Sequence, residues 1–93
     1  MKSTDFIAYL QGKPCPLCKV HTPSEPSHLR HVGMGGNRKK ENERHYSAFP
    51  MCRWHHSQFH SMSFSDFQEM YAIDLYRLQN KILAEWLMTQ GGK

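Results

Sequence analysis

The stretch PMCRWHHSQFH, which runs from Pro50 to His60, decides the fold of this chain. Four of its side chains are of types that commonly bind metal ions in proteins: Cys52, His55, His56 and His60. If the stretch is a helix, at about 100° per residue, Cys52 and His55 lie about 60° apart. His56 and His60 then lie about 40° apart and are turned away from His55. We therefore predict one helix that serves two metal sites.

A Cys-x-x-Cys turn precedes this helix, in the segment KPCPLCK that runs from Lys13 to Lys19. Its two prolines stiffen the backbone, as in a zinc knuckle. Zinc favours four tetrahedral ligands, and Cys15, Cys18, Cys52 and His55 supply three thiolates and one imidazole, so we predict a structural zinc site. The rival interpretation, a redox-active thiol pair, requires a strand before the motif and a helix starting at it. Pro16 and the following TPSEP segment favour a turn and a loop instead.

Composition restricts the class of protein. The chain has 93 residues, which predicts one small domain that needs a metal or disulfides for stability. Its three cysteines cannot all pair with one another, and we find no apolar N-terminal run long enough for a signal peptide or a membrane span. We therefore expect a cytosolic protein with reduced thiols that bind metal. The formal charge of +4 and the pI near 9.1 favour an anionic partner.

The order of the predicted elements gives the fold class. We expect a helix over residues 3–11 ended by Gly12, a strand over 27–32, a loop, a second strand over 45–49, and the metal helix introduced by Pro50. A hairpin between knuckle and helix brings the two halves of the zinc site together, which is a treble clef. The loop is either a solvated connector or a phosphate-contacting loop through Arg38, Lys39 and Lys40.

The C-terminal third is predicted to be helical. Ser65 and Gln68 form a plausible capping box for one helix, and Asp74 caps a second helix that runs to about Thr89. A core stripe recurs at helical spacing along this second helix, formed by Leu75, Leu78, Ile82 and Trp86. We expect a single α+β domain over residues 1–93, with an entry helix (1–12), a knuckle, hairpin and metal helix (13–62), and C-terminal helices (63–90).

Four histidines bear on the second face of the metal helix. His56 and His60 form an i, i+4 pair, and His28 and His45 lie on the hairpin that must pack against that helix. The alternative is that His60 caps the helix end and His56 is merely exposed. Surface decoration is a further alternative for the seven histidines, although they are not consecutive and they fall around the cysteines.

The order of these histidines resembles the HNH (ββα-metal) endonucleases, which are treble-clef proteins. The likeness is closest to small phage and prophage HNH proteins related to the phage recombination-enhancement nuclease, and it covers nearly the whole chain. The segments that carry it are FIAYLQGKPCPLC (6–18), EPSHLRHVGMGG (25–36), FPMCRWHHSQFH (49–60) and FQEMYAIDL (67–75). Only the third of these is highly specific by itself.

The resemblance implies a role for each matching residue. His28 is the general base that deprotonates the attacking water, and His45 orients the base or supports the metal loop. His56 binds a catalytic Mg²⁺ or other divalent cation, with His60 as its partner. A base with a pKa near neutrality and a cation that neutralises phosphorane charge suit this chemistry. Arg30, with the basic loop residues, is expected to hold DNA phosphates.

One position departs from the family pattern. Many HNH enzymes carry Asp or His immediately before the base as a metal ligand, whereas this chain has Ser27. A water or Glu25 then completes the coordination, or the activity is weak. A register in which His31 is the base instead of His28 remains an alternative.

With the structural zinc predicted from spacing, the resemblance implies a DNA-hydrolysing HNH nuclease, encoded by a phage or prophage and acting in the bacterial cytoplasm as a monomer or weak dimer. The main alternative is a zinc treble clef that binds nucleic acid without cutting it. A third interpretation is an interaction domain whose C-terminal helices dock a recombination or packaging partner. No membrane association is expected.

Overall fold

The computed structural model describes residues 2–19, 23–30 and 43–91. These contain four α-helices, one 3₁₀ helix and one two-stranded sheet, so the protein is a small α+β domain. In chain order the elements are α1 (Ser3–Gln11), β1 (Glu25–His28), the 3₁₀ helix (Glu43–Ser47), β2 (Ala48–Met51), α2 (Arg53–Ser61), α3 (Phe64–Tyr71) and α4 (Leu75–Gly91). Among the described residues, no helix is both long and apolar enough to cross a membrane.

The sheet is a short antiparallel pair. Its register sets Glu25 opposite Met51, and His28 opposite Ala48. A proline faces a proline in the middle of the pair, Pro26 opposite Pro50, and since proline donates no backbone hydrogen bond the ladder stays short.

Both strands begin and end at other residues than predicted. Strand β1 starts two residues earlier, at Glu25, and β2 starts three residues later, at Ala48. Pro50 lies inside β2, and the metal helix begins only after Cys52. The predicted end of the first strand, at residues 31 and 32, lies outside the described residues.

The two faces of β2 supply the two hydrophobic clusters of the domain. Phe49 and Met51 belong to the cluster around the cysteines, with Cys15, Cys52, Phe59, Phe64, Phe67 and Leu75. Ala48 points to the other cluster, which joins α1 to α4 through Phe6, Leu10, Ile82 and Trp86. Because side chains alternate along a strand, one four-residue strand organises both cores.

Helix α4 confirms the predicted core stripe. Leu75 and Trp86 are buried and Ile82 is nearly so, while Leu78 packs at the edge of both clusters. Asp74 caps the helix as predicted, since its Oδ1 accepts the backbone N–H of Arg77 at 3.1 Å. The stripe therefore serves packing.

Helix α3 begins two residues earlier than predicted. Its cap is Ser63, whose Oγ accepts the backbone N–H of Asp66 at 3.2 Å. The predicted partner of Ser65, Gln68, instead accepts the backbone N–H of Leu75 at 2.8 Å. The capping-box prediction was wrong because Ser63 offers the same chemistry one half-turn earlier, where Phe64 and Phe67 both reach the core.

Helix α3 ends at Ala72, which adopts the left-handed conformation with φ 50° and ψ 47°. This conformation crowds the Cβ of an L-residue, whereas glycine adopts it freely. We expect Ala72→Gly to stabilise the fold by about 1 kcal/mol, which raises Tm by about 4–8 °C in a domain of this size. The same substitution at Ala84, exposed within α4, should cost about 1 kcal/mol. Thermal unfolding of both variants measures this, and a fall in Tm for Ala72→Gly would contradict it.

Candidate metal centre and histidine cluster

The first candidate site is a cluster of three thiols and one imidazole. Cys15, Cys18, Cys52 and His55 each direct one ligand atom to a common centre, and these atoms all lie within 4.8 Å of one another. The cysteines form no disulfide with one another. The four residues predicted from spacing are therefore positioned to hold one metal ion.

The distances within the cluster are close to those of a zinc site. Cys18 Sγ lies 3.9 Å from Cys52 Sγ, and His55 Nδ1 lies 3.7 Å from Cys15 Sγ and 3.1 Å from Cys52 Sγ. A tetrahedral zinc ion with Zn–S bonds near 2.3 Å and Zn–N bonds near 2.0 Å separates its ligand atoms by about 3.5–3.8 Å. The donor set suits zinc; two of the three separations lie within about 0.1 Å of this range, and the one between His55 Nδ1 and Cys52 Sγ is about 0.4 Å shorter.

Local structure on both sides orients these ligands. The knuckle closes through a hydrogen bond of 2.6 Å from the Lys19 N–H to the Cys15 carbonyl, with Lys19 in the left-handed region at φ 59°. On the other side Cys52 is the N-cap of α2, which sets His55 one turn into the helix. The hairpin between the two halves brings them together.

The electrostatics of the thiols bear on how this cluster would bind a metal ion. Burial raises the pKa of the Cys52 thiol, and the neighbouring Cys15 and Cys18 sulfurs raise it further. Several thiolates cannot share a buried centre without a counter-charge. A divalent ion bound here would supply that charge and displace the thiol protons, which would couple metal binding to folding.

The second face of α2 carries the other pair of histidines. His56 Nε2 and His60 Nε2 lie 2.9 Å apart. This is the length of an N–H···N hydrogen bond, and it is also the separation of two adjacent nitrogen ligands on a six-coordinate cation with metal–nitrogen bonds of about 2.1 Å. Neither histidine belongs to the cysteine cluster, to which α2 contributes His55.

Glu25 orients this pair. Its Oε1 lies 2.8 Å from His56 Nδ1, a distance at which the ring N–H donates to the carboxylate. With its proton on Nδ1, His56 keeps a lone pair on Nε2, the atom that faces His60. Carboxylates commonly fix histidine ligands in this way. Glu25 was considered from the sequence as a substitute metal ligand, whereas the structure places it behind His56 as a hydrogen-bond partner.

His28 lies at the end of β1, near this pair and near the 3₁₀ helix. The pKa of His28 is lowered to about 4, first by burial and then by the charges of Arg44, His45, His56 and His60. His28 is therefore a neutral imidazole at physiological pH. The pKa of His60 is lowered too, by partial burial and by the charges of His56 and Arg30. The charges of His56 and His60 thus act on His28, which relates three of the predicted catalytic and cation-binding residues to one another.

Of the remaining predicted site residues, His45 and Arg30 make contacts within the fold. His45 Nδ1 lies 2.9 Å from Ser3 Oγ, so this side chain joins the 3₁₀ helix to α1. Arg30 donates to two backbone carbonyls at the end of α2. Arg38, Lys39 and Lys40, and the alternative base His31, lie outside the described residues.

Ser27, at the position where HNH enzymes carry a ligand, is fully buried. Among the described residues its Oγ is the buried side-chain oxygen without a hydrogen-bond partner. It lies opposite Phe49 in the sheet. A hydroxyl in these surroundings offers a cation neither a carboxylate nor an imidazole.

Sequence reasoning missed two contributors. Arg44 acts on His28 through its charge, and Ser3 contacts His45. The adjacency of Arg44 to His45 was the only signal for the first. Nothing in the sequence pointed to the second, because Ser3 and His45 meet only when α1 packs on the 3₁₀ helix.

No protein-family profile, curated protein or solved structure matches this chain. The geometry of the two sites is therefore the basis for any statement about function.

The low pKa of His28 predicts a pH dependence of stability. The unfolded chain binds this proton near pH 6.5 and the folded chain only near pH 4, so acidification from pH 7 to pH 5 favours unfolding. The pKa shift corresponds to a decrease of about 2 kcal/mol in the free energy of unfolding between pH 7 and pH 5. Solvent screening at a half-buried side chain reduces this decrease to roughly 1 kcal/mol. Urea unfolding of zinc-loaded protein should show a smaller loss for His28→Gln than for the unchanged chain. Equal losses would contradict the assignment.

Proposed function

We propose that this protein is a zinc-stabilised treble-clef endonuclease of the HNH type, which hydrolyses DNA phosphodiester bonds with a divalent cation. The observation that carries the proposal is the pair His56 and His60, whose Nε2 atoms lie 2.9 Å apart, with His28 near enough for their charges to lower its pKa. One helix thereby links a structural centre to a reactive one. The basic charge of the chain, +4, supports an anionic substrate.

The knuckle, hairpin and helix support the treble-clef assignment. The Cys-x-x-Cys turn comes first, the antiparallel pair β1 and β2 follows, and α2 completes the ligand set with Cys52 and His55. Both zinc-binding pairs then hold the hairpin against the helix. This is the arrangement that the resemblance to HNH proteins implies.

In the proposed reaction His28 accepts a proton from water. Its imidazole is neutral at pH 7 because its pKa lies near 4, so a ring nitrogen is free to act as general base. The low pKa makes it a weak base in the free protein, and the negative charge of a bound phosphodiester raises its basicity when substrate is present.

His56 and His60 are the residues that would hold the divalent cation. Glu25 favours the tautomer of the neutral His56 ring in which the lone pair is on Nε2. When bound, the cation neutralises charge on the phosphate and stabilises the leaving oxygen. Arg44 adds positive charge beside His28, which favours a phosphate there.

A second candidate function is nucleic-acid binding without cleavage. The buried hydroxyl of Ser27 favours it, because a ligand common in HNH enzymes is missing at this position. The two functions separate in a plasmid-nicking assay with Mg²⁺, Mn²⁺ or no divalent cation. Cation-dependent nicking supports the nuclease. Salt-dependent DNA binding with no nicking under any cation supports the binding module.

A further inference from the structure

We infer that Arg30 is a positioning residue, which holds the end of the strand that carries His28 against the last turn of the helix that carries His60. The sequence had assigned Arg30 to DNA phosphates. The inference rests on the proposed function, because it concerns the geometry of the same site.

The guanidinium of Arg30 caps α2. Nη1 donates to the Met62 carbonyl at 3.0 Å and Nη2 donates to the Phe59 carbonyl at 2.7 Å. The last carbonyls of a helix have no partner within it and carry its negative dipole end, so a cationic donor there stabilises the helix terminus. Two nitrogens of one planar group thus fix the turn in which His60 lies.

The same guanidinium lies over an aromatic ring. Its central carbon is 4.3 Å from the centroid of the Phe59 ring, which is almost fully buried. Phe59 in turn makes edge contacts with the rings of Phe49, Phe64 and Phe67. A cation seated on a ring that is fixed by three others has little freedom to turn towards solvent.

The backbone of Arg30 is held as well. The hydroxyl of Tyr76, on α4, donates to the Arg30 carbonyl at 3.1 Å. Arg30 therefore joins three elements: the chain just after β1, the end of α2, and the first turn of α4. It follows His28 by two residues and contacts the residue before His60, so a shift at Arg30 changes the distance between the proposed base and the proposed cation ligand.

These contacts argue against a phosphate role. Phosphate recognition by arginine uses the planar fork of N–H donors. In Arg30 the fork is directed at two helix carbonyls, and one face is covered by Phe59. By contrast Arg53 and Arg77 are exposed.

The test is Arg30→Lys, which keeps the charge but cannot donate to both carbonyls from a planar fork. In a DNA-cleavage assay we expect kcat to fall about 100-fold, as for a displacement of reacting groups by about 1 Å. We expect KM and the salt dependence of DNA binding to stay unchanged. Arg77→Lys is the matched control and should alter none of these quantities.

Two results would overturn the inference. The first is a raised KM with unchanged kcat, together with a slope of log binding constant against log salt concentration (the salt slope) that is smaller in magnitude by about one. This result would make Arg30 a phosphate contact. The second is that kcat, KM and the salt slope are all unchanged, which would show that Arg30 has no role in the site. If Arg30→Lys does not fold, judged by circular dichroism, Tyr76→Phe decides: we expect a smaller fall in kcat at constant KM, and an unchanged kcat overturns the inference.

A separate measurement distinguishes this inference from the nuclease proposal. If the unchanged protein fails to cut DNA whichever divalent cation is added, the nuclease proposal fails. Mn²⁺ titration of zinc-loaded protein then tests Arg30. We expect Arg30→Lys to bind Mn²⁺ about tenfold more weakly, as for loss of a supporting contact. Equal affinities, or no Mn²⁺ binding by the unchanged protein, overturn the inference.

Discussion

Replacement of Cys18 by serine is expected to leave the chain without bound zinc and without a stable fold. Cys18 is one of four ligands that converge within 4.8 Å. Binding of structural zinc contributes on the order of 10 kcal/mol, which is comparable to the whole stability of a small domain. Since the hydrophobic cluster of β2 and α2 is built around Cys15 and Cys52, loss of the metal also removes the link between the knuckle and α2 within that cluster.

The measurement is zinc content by elemental analysis together with circular dichroism. Cys18→His is the matched comparison, because imidazole also binds zinc and Cys18 is only half-buried. We expect it to retain zinc at reduced affinity. Chelation of the unchanged protein should unfold it, and added zinc should restore the fold. A folded, zinc-free Cys18→Ser variant would disprove the structural role of the metal.

Replacement of His28 by alanine is expected to reduce DNA cleavage by about 10²–10⁴-fold, the usual contribution of a general base. Zinc content should stay unchanged, because His28 lies outside the cysteine cluster. The reduction should appear in kcat, with DNA binding retained. The assay is nicking of supercoiled plasmid in the presence of Mg²⁺ or Mn²⁺.

His31→Ala is the control for this experiment, since His31 is the alternative base in the sequence. We expect it to cleave normally. Should His31→Ala abolish cleavage while His28→Ala remains active, the base would be His31. His28→Gln, which keeps the size and polarity of the side chain, separates a chemical effect from a packing effect at this half-buried position.

The zinc ligands were predictable because their signal is local. Two residues separate the cysteines of the knuckle, and two separate Cys52 from His55. A turn and a helix convert each spacing into a fixed direction, so only the meeting of the two halves depends on the fold. The stripe on α4 was predictable for the same reason, since helical periodicity alone identifies its buried face.

The strand limits and the cap of α3 were less predictable. Two serines with similar capping chemistry, Ser63 and Ser65, precede the same helix. Which one caps it depends on the face that Phe64 and Phe67 present to the core. The limits of the strands likewise follow from the pairing of Pro26 with Pro50, which is a tertiary contact.

The sequence by itself determined the ligand set of the metal centre and the division of α2 into two faces, because helical angles follow directly from residue spacing. The tertiary structure decided the rest of the second face. It set Glu25 behind His56, directed Arg30 to the end of α2 and buried the hydroxyl of Ser27. These contacts join residues about 30 positions apart or depend on sheet pairing, so no local pattern encodes them. The stretch from Pro50 to His60, with the knuckle cysteines, identifies the candidate ligands, and the packing of β1 against α2 determines what surrounds its second pair of histidines.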